Sequence, residues 1–434
     1  VKLIVVFFQL FSFLVICFLS AYLVRHYIFT LVVLKHAKKP LPTELHKTSP
    51  YVPMVSILVP AHNEGQVLEK LLQSLTCLTY PKNKLEVIII NDASNDQTQH
   101  IADNFSSNYS YMYALHRFPP IGGVGKAAAL NDGLNYSIGE IVLCFDADYL
   151  PCRDIVEKLV KEFVNPVVGA VQGRPVVQNE SQSFITRIIT LERIGGYRVD
   201  QEARNLLKLI PQFGGTVGGF RRSILFDLGG FDEKMLTEDT DLTFHIYLKG
   251  YKIRYAGDAE CYEEAVKTLK TYWRQRHRWA RGHMQVCCKH AFNVVRSKYL
   301  TKKEKIDGLL LLHIYFVPVL TLFASVNGII LWLFGFLPIS NALVLFLPLT
   351  LYSIAGNFAP FFEIGIGTYL DGRKQLHWLS PLLFFAFLYN MLICTKAFFD
   401  VFGGLLFGRA QTNWAKTEHL GYGTKYFPIT KKEK

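Results

Sequence analysis

The feature that most constrains this chain is the separation of its apolar residues into two ends around a polar middle. An almost uninterrupted apolar run covers Leu3 to Val24, and roughly 20 residues are enough for a helix to cross a hydrocarbon core of about 30 Å. Three further apolar stretches close the chain, near Leu309 to Phe336, Leu343 to Phe362 and Leu379 to Leu405. This pattern predicts a soluble domain held between membrane helices.

The composition agrees with this division, since 50% of the 434 residues are hydrophobic and such a chain is too apolar for an ordinary soluble enzyme. A cleaved signal peptide is the alternative for the first run, which however lacks a basic n-region and a small-x-small cleavage site. We therefore expect an anchor over residues 1–34. Basic residues follow it at Lys35, Lys38 and Lys39, so the positive-inside rule predicts a cytoplasmic middle.

The net charge of +12 comes largely from Lys and Arg beside the hydrophobic segments. It predicts contact with membrane lipids and phosphates rather than with nucleic acid. The eight cysteines form no CxxC pair, and Cys287-Cys288 with His290 lacks the spacing of a zinc site. We interpret them as reduced thiols.

The polar middle alternates short apolar runs with helical patterns, which predicts an α/β fold with a largely parallel sheet covered on both faces. The predicted strands are Val55 to Val59, Leu85 to Ile90, Ile141 to Phe145 and Val167 to Val171, and the first predicted helix is Glu64 to Leu75. Ligands bind such sheets beyond the carboxyl ends of the strands. The polar residues at those ends are Asn63, Glu64, Asp92, Asp146 and Asp148.

Asp146 and Asp148 form a DxD pair directly after a buried strand. Two carboxylates on the same side of an extended turn suit a hard divalent cation such as Mg²⁺ or Mn²⁺. The alternative is a surface turn that happens to contain two Asp residues. The pair by itself leaves both interpretations open.

Asp92 and Lys126 are candidates for nucleotide contact. Asp92 lies in a turn of polar residues that are also ordinary turn and cap residues. Lys126 follows Gly122-Gly123-Val-Gly125 and opens a helix, an arrangement suited to phosphate contact through backbone N–H groups and one ammonium. The spacing is neither that of a Walker loop nor that of a dinucleotide fingerprint.

Thr237-Glu238-Asp239 precedes the amphipathic stretch Leu242 to Leu248. One interpretation is that the acids favour the helix dipole, by roughly 0.3 to 1 kcal/mol. The alternative is that Asp239 is a general base, since deprotonating a sugar hydroxyl requires a carboxylate within hydrogen-bond reach.

Gln275, Arg278, Trp279 and Gly282 have the spacing of one helical face. On that face Arg278 is suited to a diphosphate oxygen and Trp279 to stacking on a sugar ring. An interfacial amphipathic helix, with aromatics and cations at the lipid headgroups, explains the same residues. The two interpretations are compatible.

Taken together, the D, DxD, TED and QxxRW motifs over residues 50–300 resemble the membrane-embedded processive family 2 glycosyltransferases, namely cellulose, hyaluronan, chitin-oligosaccharide and poly-N-acetylglucosamine synthases. The resemblance implies a GT-A fold, a single inverting displacement and a nucleotide-sugar donor, most often a UDP-sugar.

The resemblance also assigns roles to residues. Nucleotide contacts fall on Pro60, Asn63, Glu64, Asp92, Lys126, Asp146 and Arg278, the metal ligands are Asp146 and Asp148, and the catalytic group comprises Glu238, Asp239, Gln275, Arg278 and Trp279. Acceptor contacts fall on Trp279 and on Phe213-Gly214-Gly215-Thr216. Synthases often carry Cys or Ser where Gly214 or its neighbour stands, so this segment departs from the family pattern.

Three functions fit these motifs. The form of the QxxRW segment favours a synthase that extends a β-linked polysaccharide from UDP-glucose or UDP-N-acetylglucosamine. The alternative is an enzyme that adds one sugar to diacylglycerol or ceramide. A catalytically inactive membrane scaffold is a remote third interpretation, because every expected carboxylate is present. The oligomeric state is left open.

The predicted domains are an anchor (1–34), a cytoplasmic GT-A domain (50–265), interfacial helices (266–300), C-terminal transmembrane helices (305–406) and a basic tail (407–434). One anchor and three later crossings place the tail outside the cell. The positive-inside rule and the resemblance of Trp414-Ala-Lys416-Thr417 to a cytoplasmic family segment place it inside. We expect a cytoplasmic tail, with the middle closing stretch interfacial or re-entrant because Pro348, Gly356, Pro360 and Glu363 interrupt it.

Overall fold

A computed structural model describes residues 2–37, 51–335 and 358–407. Three parts named above lie outside the described residues, namely Lys38 and Lys39, most of the middle closing stretch, and the basic tail with Trp414. What the sequence predicts for them stays a prediction.

In the described part of the chain, eight strands form one sheet in the order β3-β2-β1-β4-β7-β6-β8-β5. Strands β1 to β4 run parallel to one another, and β6 pairs parallel with β8. Strand β7 is antiparallel to both β4 and β6, and β5 is antiparallel to β8. The α/β fold class is therefore confirmed, with a mixed, mostly parallel sheet. The strands are β1 Val55–Ala61, β2 Leu85–Asp92, β3 Met112–Arg117, β4 Ile141–Cys144, β5 Leu150–Pro151, β6 Val168–Val177, β7 Gly218–Arg221 and β8 Lys252–Glu263.

The first three predicted strands, which are β1, β2 and β4, begin at the predicted residues. The fourth, β6, differs from the prediction in both of its bounds. Strand β6 does not end at Gln172 but continues to Val177, because β8 pairs with it along most of its length, through two register shifts. Gln172 is consequently buried inside the sheet. The first helix begins at Leu68 rather than Glu64, since a turn occupies the intervening residues.

Helices cover both faces of the sheet, as predicted. One apolar core lies under α2, α3 and α5, and a second lies under α4, α9, α10 and α11. The helices of the middle region are α2 Leu68–Thr76, α3 Thr98–Asn108, α4 Lys126–Tyr136, α5 Ile155–Val160, α6 Phe184–Arg193, α7 Glu202–Leu206, α8 Arg222–Asp227, α9 Glu238–Leu248, α10 Leu269–Arg296 and α11 Lys302–His313. A π-helical segment, Ile194–Gln201, joins α6 to α7.

Within the described residues, three helices are long and apolar enough to cross a membrane, over Val5–Ala37, Phe316–Leu333 and Lys374–Gly404. They correspond to α1 Lys2–Ala37, to α12 Phe316–Leu333 and to α14 Leu383–Phe407 with a short 3₁₀ segment, Lys374–Leu382, before it. Residues 358–370 form a further helix, α13. The first and last predicted apolar runs, Leu3 to Val24 and Leu379 to Leu405, thus lie in helices.

Helix α1 continues beyond its apolar run and docks on the sheet domain. At a rise of about 1.5 Å per residue, its 36 residues form a helix that is longer than a hydrocarbon core is thick. In its last third, Phe29 and Val33 pack against Val199 and Ala203, which lie in the π-helical segment and α7. Arg25 forms an ion pair with Asp200. The anchor and the soluble domain are therefore held in one fixed arrangement.

Candidate active site

One cavity of about 840 Å³ joins the carboxyl ends of β1, β2 and β4 to the membrane helices. We call it the central cavity. Its lower part is formed by the predicted motifs, and its upper part by α1, α12, α13 and α14. It contains nearly all of the predicted site residues: Pro60, Glu64, Asp92, Lys126, Asp146, Asp148, Gly214, Gly215, Thr216, Glu238, Asp239, Gln275, Arg278 and Trp279.

Among the described residues, Asn63 and Phe213 are the predicted site residues that lie outside the cavity lining. Asn63 bridges two turns, because its N–H donates to Ser94 Oγ at 2.9 Å and its Oδ1 accepts from the Asn95 N–H at 2.8 Å. Phe213 is buried, with its ring 4.6 Å from that of Phe220. Asn63 thus shapes the loop after β1, and Phe213 supports the acceptor segment from the core.

Asp92 fastens the glycine-rich loop to the sheet. Its Oδ1 accepts from the Gly123 N–H at 2.8 Å and from the Arg117 guanidinium. Arg117 in turn donates to Asp132 at 2.6 Å and to the Ile121 carbonyl at 2.8 Å. The residue predicted to contact the nucleoside therefore also orders the loop that leads to Lys126.

Lys126 connects the predicted metal pair with the predicted acceptor segment. Its ammonium lies 2.5 Å from Asp146 Oδ1 and donates to the Gly215 carbonyl at 3.0 Å. Burial lowers the pKa of Lys126, but the nearby Asp146 and Glu238 carboxylates outweigh burial and raise it, so the ammonium stays charged. The Asp146 N–H donates to Thr216 Oγ1 at 3.0 Å, which binds the same two segments a second time.

Asp239 lies in the first turn of α9 and faces the central cavity. Burial, followed by the neighbouring Glu238 charge, raises the pKa of Asp239 to about 7. Its Oδ1 accepts from the Thr240 N–H at 2.7 Å. A Cβ at Gly215 would lie 3.0 Å from Asp239 Oδ2, so glycine at that position leaves room for the carboxylate. A carboxylate with this pKa is suited to accept a proton near neutral pH.

Trp279 is held on α10 between two cations. The Arg276 guanidinium lies 4.4 Å from the ring centroid and that of Arg193 lies 5.5 Å away. Arg276 pairs with Glu192, and Arg193 donates to Glu263 at 2.5 Å from Nε and 2.9 Å from Nη2. The indole is therefore fixed by charge contacts as well as by packing.

Comparison with known proteins agrees with this geometry. Residues 56–229 match the model of glycosyl transferase family 2. The beta-monoglucosyldiacylglycerol synthase of Nostoc sp. is 31% identical over 389 residues, which are 86% of this chain and 78% of that protein. The chain belongs to glycosyl transferase family 2. It is therefore an enzyme of the glycosyltransferase class.

Two other relatives of this glycosyltransferase match over a shorter range. The probable glycosyltransferase YdaM of Bacillus subtilis is 41% identical over 239 residues, which are 55% of this chain and 57% of that protein. The poly-beta-1,6-N-acetyl-D-glucosamine synthase of Staphylococcus epidermidis is 32% identical over 251 residues, 57% of this chain and 58% of that protein. The chain thus spans little more than half the length of these two relatives.

A solved structure supports the GT-A fold of this glycosyltransferase. The mannosyltransferase PcManGT from Pyrobaculum calidifontis, in complex with GDP-Man and Mn²⁺, superposes with a TM-score of 0.56 at 25% identity. The match covers 83% of this chain and 99% of that protein. It extends beyond the sheet domain, because residues 55–265 are only about half of this chain.

Sequence reasoning missed several residues of the central cavity. His283 follows Trp279 by one helical turn, so the helical spacing was sufficient to place it on the same face. Its Nε2 lies 3.3 Å from Thr240 Oγ1, and burial lowers its pKa to about 4, so it is neutral. Tyr197 and Asp200 come from the π-helical segment, and neither spacing nor motif indicated them.

The lack of space around Gly282 explains why a glycine follows the QxxRW motif, and it leads to a first prediction. A Cβ at this position would lie 2.5 Å from Thr237 Cγ2. We expect Gly282→Ala to push Thr237, and with it the turn that carries Asp239, out of place. Because small misplacements of catalytic groups are costly, transfer should fall about 10- to 100-fold.

Initial rates of transfer in detergent measure this effect. Thr237→Ala removes the atoms that clash, so the double variant should recover most of the lost rate. Gly328→Ala is the matched control, since a Cβ there meets no atom within 4 Å. A rate for Gly282→Ala equal to that of Gly328→Ala would contradict the prediction.

Proposed function

We propose that this glycosyltransferase transfers glucose or N-acetylglucosamine from a UDP-sugar to a growing β-linked polysaccharide by a single inverting displacement. The observation that carries the proposal is the central cavity, which contains Asp239, Lys126 and the DxD pair at one end and continues between membrane helices at the other. An acceptor that enters from the membrane side therefore meets the base and the donor site together.

Asp146 and Asp148 fit a divalent cation, Mg²⁺ or Mn²⁺, because both line the cavity at a strand end and offer the oxygen ligands that hard cations prefer. When bound, such an ion stabilises the negative charge of a diphosphate leaving group. The related mannosyltransferase contains Mn²⁺ with its nucleotide sugar. Lys126 lies against Asp146 and adds a second positive charge at the same place.

The proposed reaction assigns one step to each of these side chains. Asp239 accepts the proton of an acceptor hydroxyl, whose oxygen forms a bond to the anomeric carbon of the donor. The bond from that carbon to the diphosphate breaks on the opposite side, and UDP leaves with the electron pair. Arg278 lines the cavity, and its charge opposes the rise in the pKa of Asp239. Arg278 and Lys126 offset the charge on the departing diphosphate.

A carbohydrate acceptor is favoured by the polar and aromatic groups around Asp239. Trp279, Tyr197, Gln201 and Gln212 all line this part of the cavity. Aromatic faces stack on sugar rings. The Gln201 amide binds the Gln212 backbone and the Gln212 amide nitrogen donates to Thr240, which leaves the Gln212 side-chain oxygen to accept from a hydroxyl group. These groups suit the end of a polysaccharide that is being extended.

A glycolipid product is the second candidate, and the upper cavity favours it. Leu383, Phe384, Phe387 and Val317 line the part between the membrane helices, and these side chains suit acyl chains better than sugars. The relative from Nostoc sp., whose match extends over 86% of this chain, is named as a glycolipid synthase.

The decisive experiment incubates the detergent-purified protein and Mg²⁺ or Mn²⁺ with UDP-glucose, UDP-N-acetylglucosamine, UDP-glucuronate or GDP-mannose, with and without dioleoylglycerol. A glycosidase-sensitive ladder supports the polysaccharide synthase. A lipid-soluble product with one sugar supports the second candidate. No product above that of Asp239→Asn from any donor would overturn both.

For localisation, we propose a multi-pass protein of the cell membrane with its catalytic domain on the cytoplasmic side. Asp371 pairs with Arg174 and Arg373 pairs with Glu180, so the connection after α13 lies on the catalytic domain. Near the other end of α14, Asp400 contacts His277 of α10 at 2.8 Å, and the Phe402 ring lies 6.2 Å from Phe316. Both ends of α14 therefore lie near the catalytic domain, so in this proposal α14 lies along α10 at the membrane surface instead of crossing the membrane.

This arrangement predicts that the carboxyl end of α14 faces the cytoplasm, because Phe316 begins α12 directly after α11, which packs on the catalytic domain. A protease-cleavable tag fused after Lys434 should be cut in inside-out vesicles and protected in right-side-out vesicles. A reporter inserted after Gly335, at the far end of α12, should show the opposite pattern. Protection of the two sites in the same vesicles would contradict the prediction.

The pKa of Asp239 predicts a pH dependence of transfer. Below about pH 7 the raised pKa leaves this carboxyl protonated, and a protonated base cannot accept the acceptor proton. The rate should therefore rise with pH between about 5.5 and 8 and then level off. Rates at each pH, with UDP binding measured alongside, test this. A rate that stays constant over the range would contradict the assignment of Asp239.

A further inference from the structure

Tyr197 and Gly214 fit together in the wall of the central cavity. An ideal Cβ built on Gly214 lies 2.6 Å from the Tyr197 hydroxyl oxygen and 3.9 Å from its Cζ. The first distance is a clash and the second is an ordinary contact. The hydroxyl thus occupies the space that a side chain at position 214 would need.

The Tyr197 hydroxyl faces the cavity without a partner of its own. Tyr197 lines the cavity and is only 9% exposed, yet its hydroxyl forms no hydrogen bond within the described ranges 2–37, 51–335 and 358–407. Burial, with the Glu263 and Asp239 charges opposed by Arg193, raises the pKa of Tyr197 to about 12. The hydroxyl therefore keeps its proton and can both donate and accept.

Neighbouring contacts fix where this hydroxyl points. The Arg193 guanidinium lies 5.7 Å from the Tyr197 ring and 5.5 Å from the Trp279 ring, so one cation holds both aromatic rings. On the other side, the Gly214 N–H donates to the buried Gln172 at 2.7 Å. The adjacent Gly215 is the residue that approaches Asp239. Tyr197 is therefore placed rigidly beside the base.

The backbone that carries Tyr197 is itself unusual. Residues Ile194–Gln201 form a π-helix, and segments of this kind occur mostly at functional sites. The segment places Gly196, Tyr197, Asp200 and Gln201 on the cavity wall. It also lies where α1 docks, so it forms the boundary between the catalytic end and the membrane end of the cavity.

We propose that Tyr197 is an acceptor-binding residue, whose hydroxyl forms a hydrogen bond with a hydroxyl of the acceptor's terminal unit, and that Gly214 is glycine because this hydroxyl fills its side-chain space. The inference rests on the proposed function, since it presumes that the acceptor reaches Asp239 through the central cavity. The ligand is a hydroxyl-bearing acceptor, either a sugar chain or a neutral lipid.

The test compares Tyr197→Phe with Tyr255→Phe in the whole chain, with two acceptor probes measured separately, a β-linked oligosaccharide of the donor sugar and dioleoylglycerol. Tyr255 is also buried and its ring lies 6.4 Å from that of Tyr197, but its hydroxyl is buried away from the cavity, without a partner in the described chain. We expect Tyr197→Phe to raise the apparent KM for the acceptor about three- to tenfold, as for one lost hydrogen bond. The KM for the UDP-sugar should change less than about twofold, and Tyr255→Phe should leave both values unchanged.

A reciprocal pair of double variants separates binding from packing. In Tyr197→Phe the Cβ of a new residue at position 214 has room, so Gly214→Ser and Gly214→Ala are both accommodated there. The serine hydroxyl returns a polar group to the vacated space, whereas alanine does not. We expect the serine double variant to recover the acceptor KM at least partly and the alanine double variant to stay at the value of Tyr197→Phe.

The outcomes distinguish this inference from the proposed function. If the unmodified protein transfers no sugar from any UDP-sugar, the proposed function fails first. If it transfers sugar but Tyr197→Phe has the acceptor KM of Tyr255→Phe, the role of Tyr197 is overturned and the proposed function stands. If Tyr197→Phe also weakens donor binding, the double variants decide, and equal acceptor KM values for serine and alanine overturn the role.

Discussion

Asp239→Asn should abolish sugar transfer while leaving the nucleotide site intact. Asparagine has the same shape but cannot accept a proton, so the rate should fall by about 10²- to 10⁴-fold. The affinity for UDP should change less than about twofold, because Lys126, Asp146 and Arg278 remain in place. Transfer assays and calorimetric titration with UDP measure the two quantities on the same preparation.

The same substitution should not weaken the fold, which separates a catalytic loss from unfolding. The pKa of Asp239 is raised in the folded protein, so the folded state binds the proton more tightly than the unfolded chain does. Its ionised form therefore destabilises the fold as the pH rises from about 4, the unfolded value, through about 7. The variant should unfold at the same or a higher temperature at pH 8 and should lose that advantage at pH 4.

Glu238→Gln provides the control for this interpretation. After burial, the Glu238 charge contributes most to the raised pKa of Asp239, so its removal should move the acid limb of the pH profile to lower pH. Asp239→Asn with transfer within about threefold of the unmodified protein would show that another group accepts the proton. If the acid limb of the pH profile does not move in Glu238→Gln, a group other than Asp239 causes that limb.

The sequence was informative about the lower part of the site because its geometry follows from regular secondary structure. Asp92 ends β2 and Asp146 follows β4, the two strands that flank β1, and the carboxyl ends of parallel strands meet at one edge of a sheet. Gln275, Arg278 and Trp279 share a face of α10 because of the helical period alone. Local patterns were therefore sufficient to bring these motifs into one cavity.

The remaining parts depend on contacts between distant segments, which no local pattern encodes. The antiparallel insertion of β7 between β4 and β6 was not predicted, and neither was the pairing with β8 that extends β6 past Gln172. Tyr197 lines the cavity from a π-helical segment, which no local pattern in the sequence indicated. Asp200 is paired with Arg25, which lies 175 positions away in the anchor. Phe213, assigned through resemblance, packs beneath the site rather than in it.

The second large effect is expected from the DxD pair. If Asp146 and Asp148 hold Mg²⁺ or Mn²⁺ against the diphosphate, the loss of one ligand should remove several kcal/mol of charge stabilisation, which corresponds to more than about 10²-fold in rate. Asp148→Asn is the sharper variant. Asp146 also pairs with Lys126 at 2.5 Å, so Asp146→Asn leaves a half-buried ammonium without its carboxylate and perturbs two interactions at once.

A metal titration distinguishes the two residues. In Asp148→Asn, UDP binding should require a higher Mn²⁺ concentration, and part of the transfer should return when Mn²⁺ is raised, because the site is weakened rather than lost. In Asp146→Asn, combining the change with Lys126→Met should restore thermal stability but not transfer, since the double variant removes the unpaired charge without restoring a ligand. If Asp148→Asn has an unchanged Mn²⁺ dependence, Asp148 is not a ligand, and the charge of the leaving group must be offset by Lys126 and Arg278.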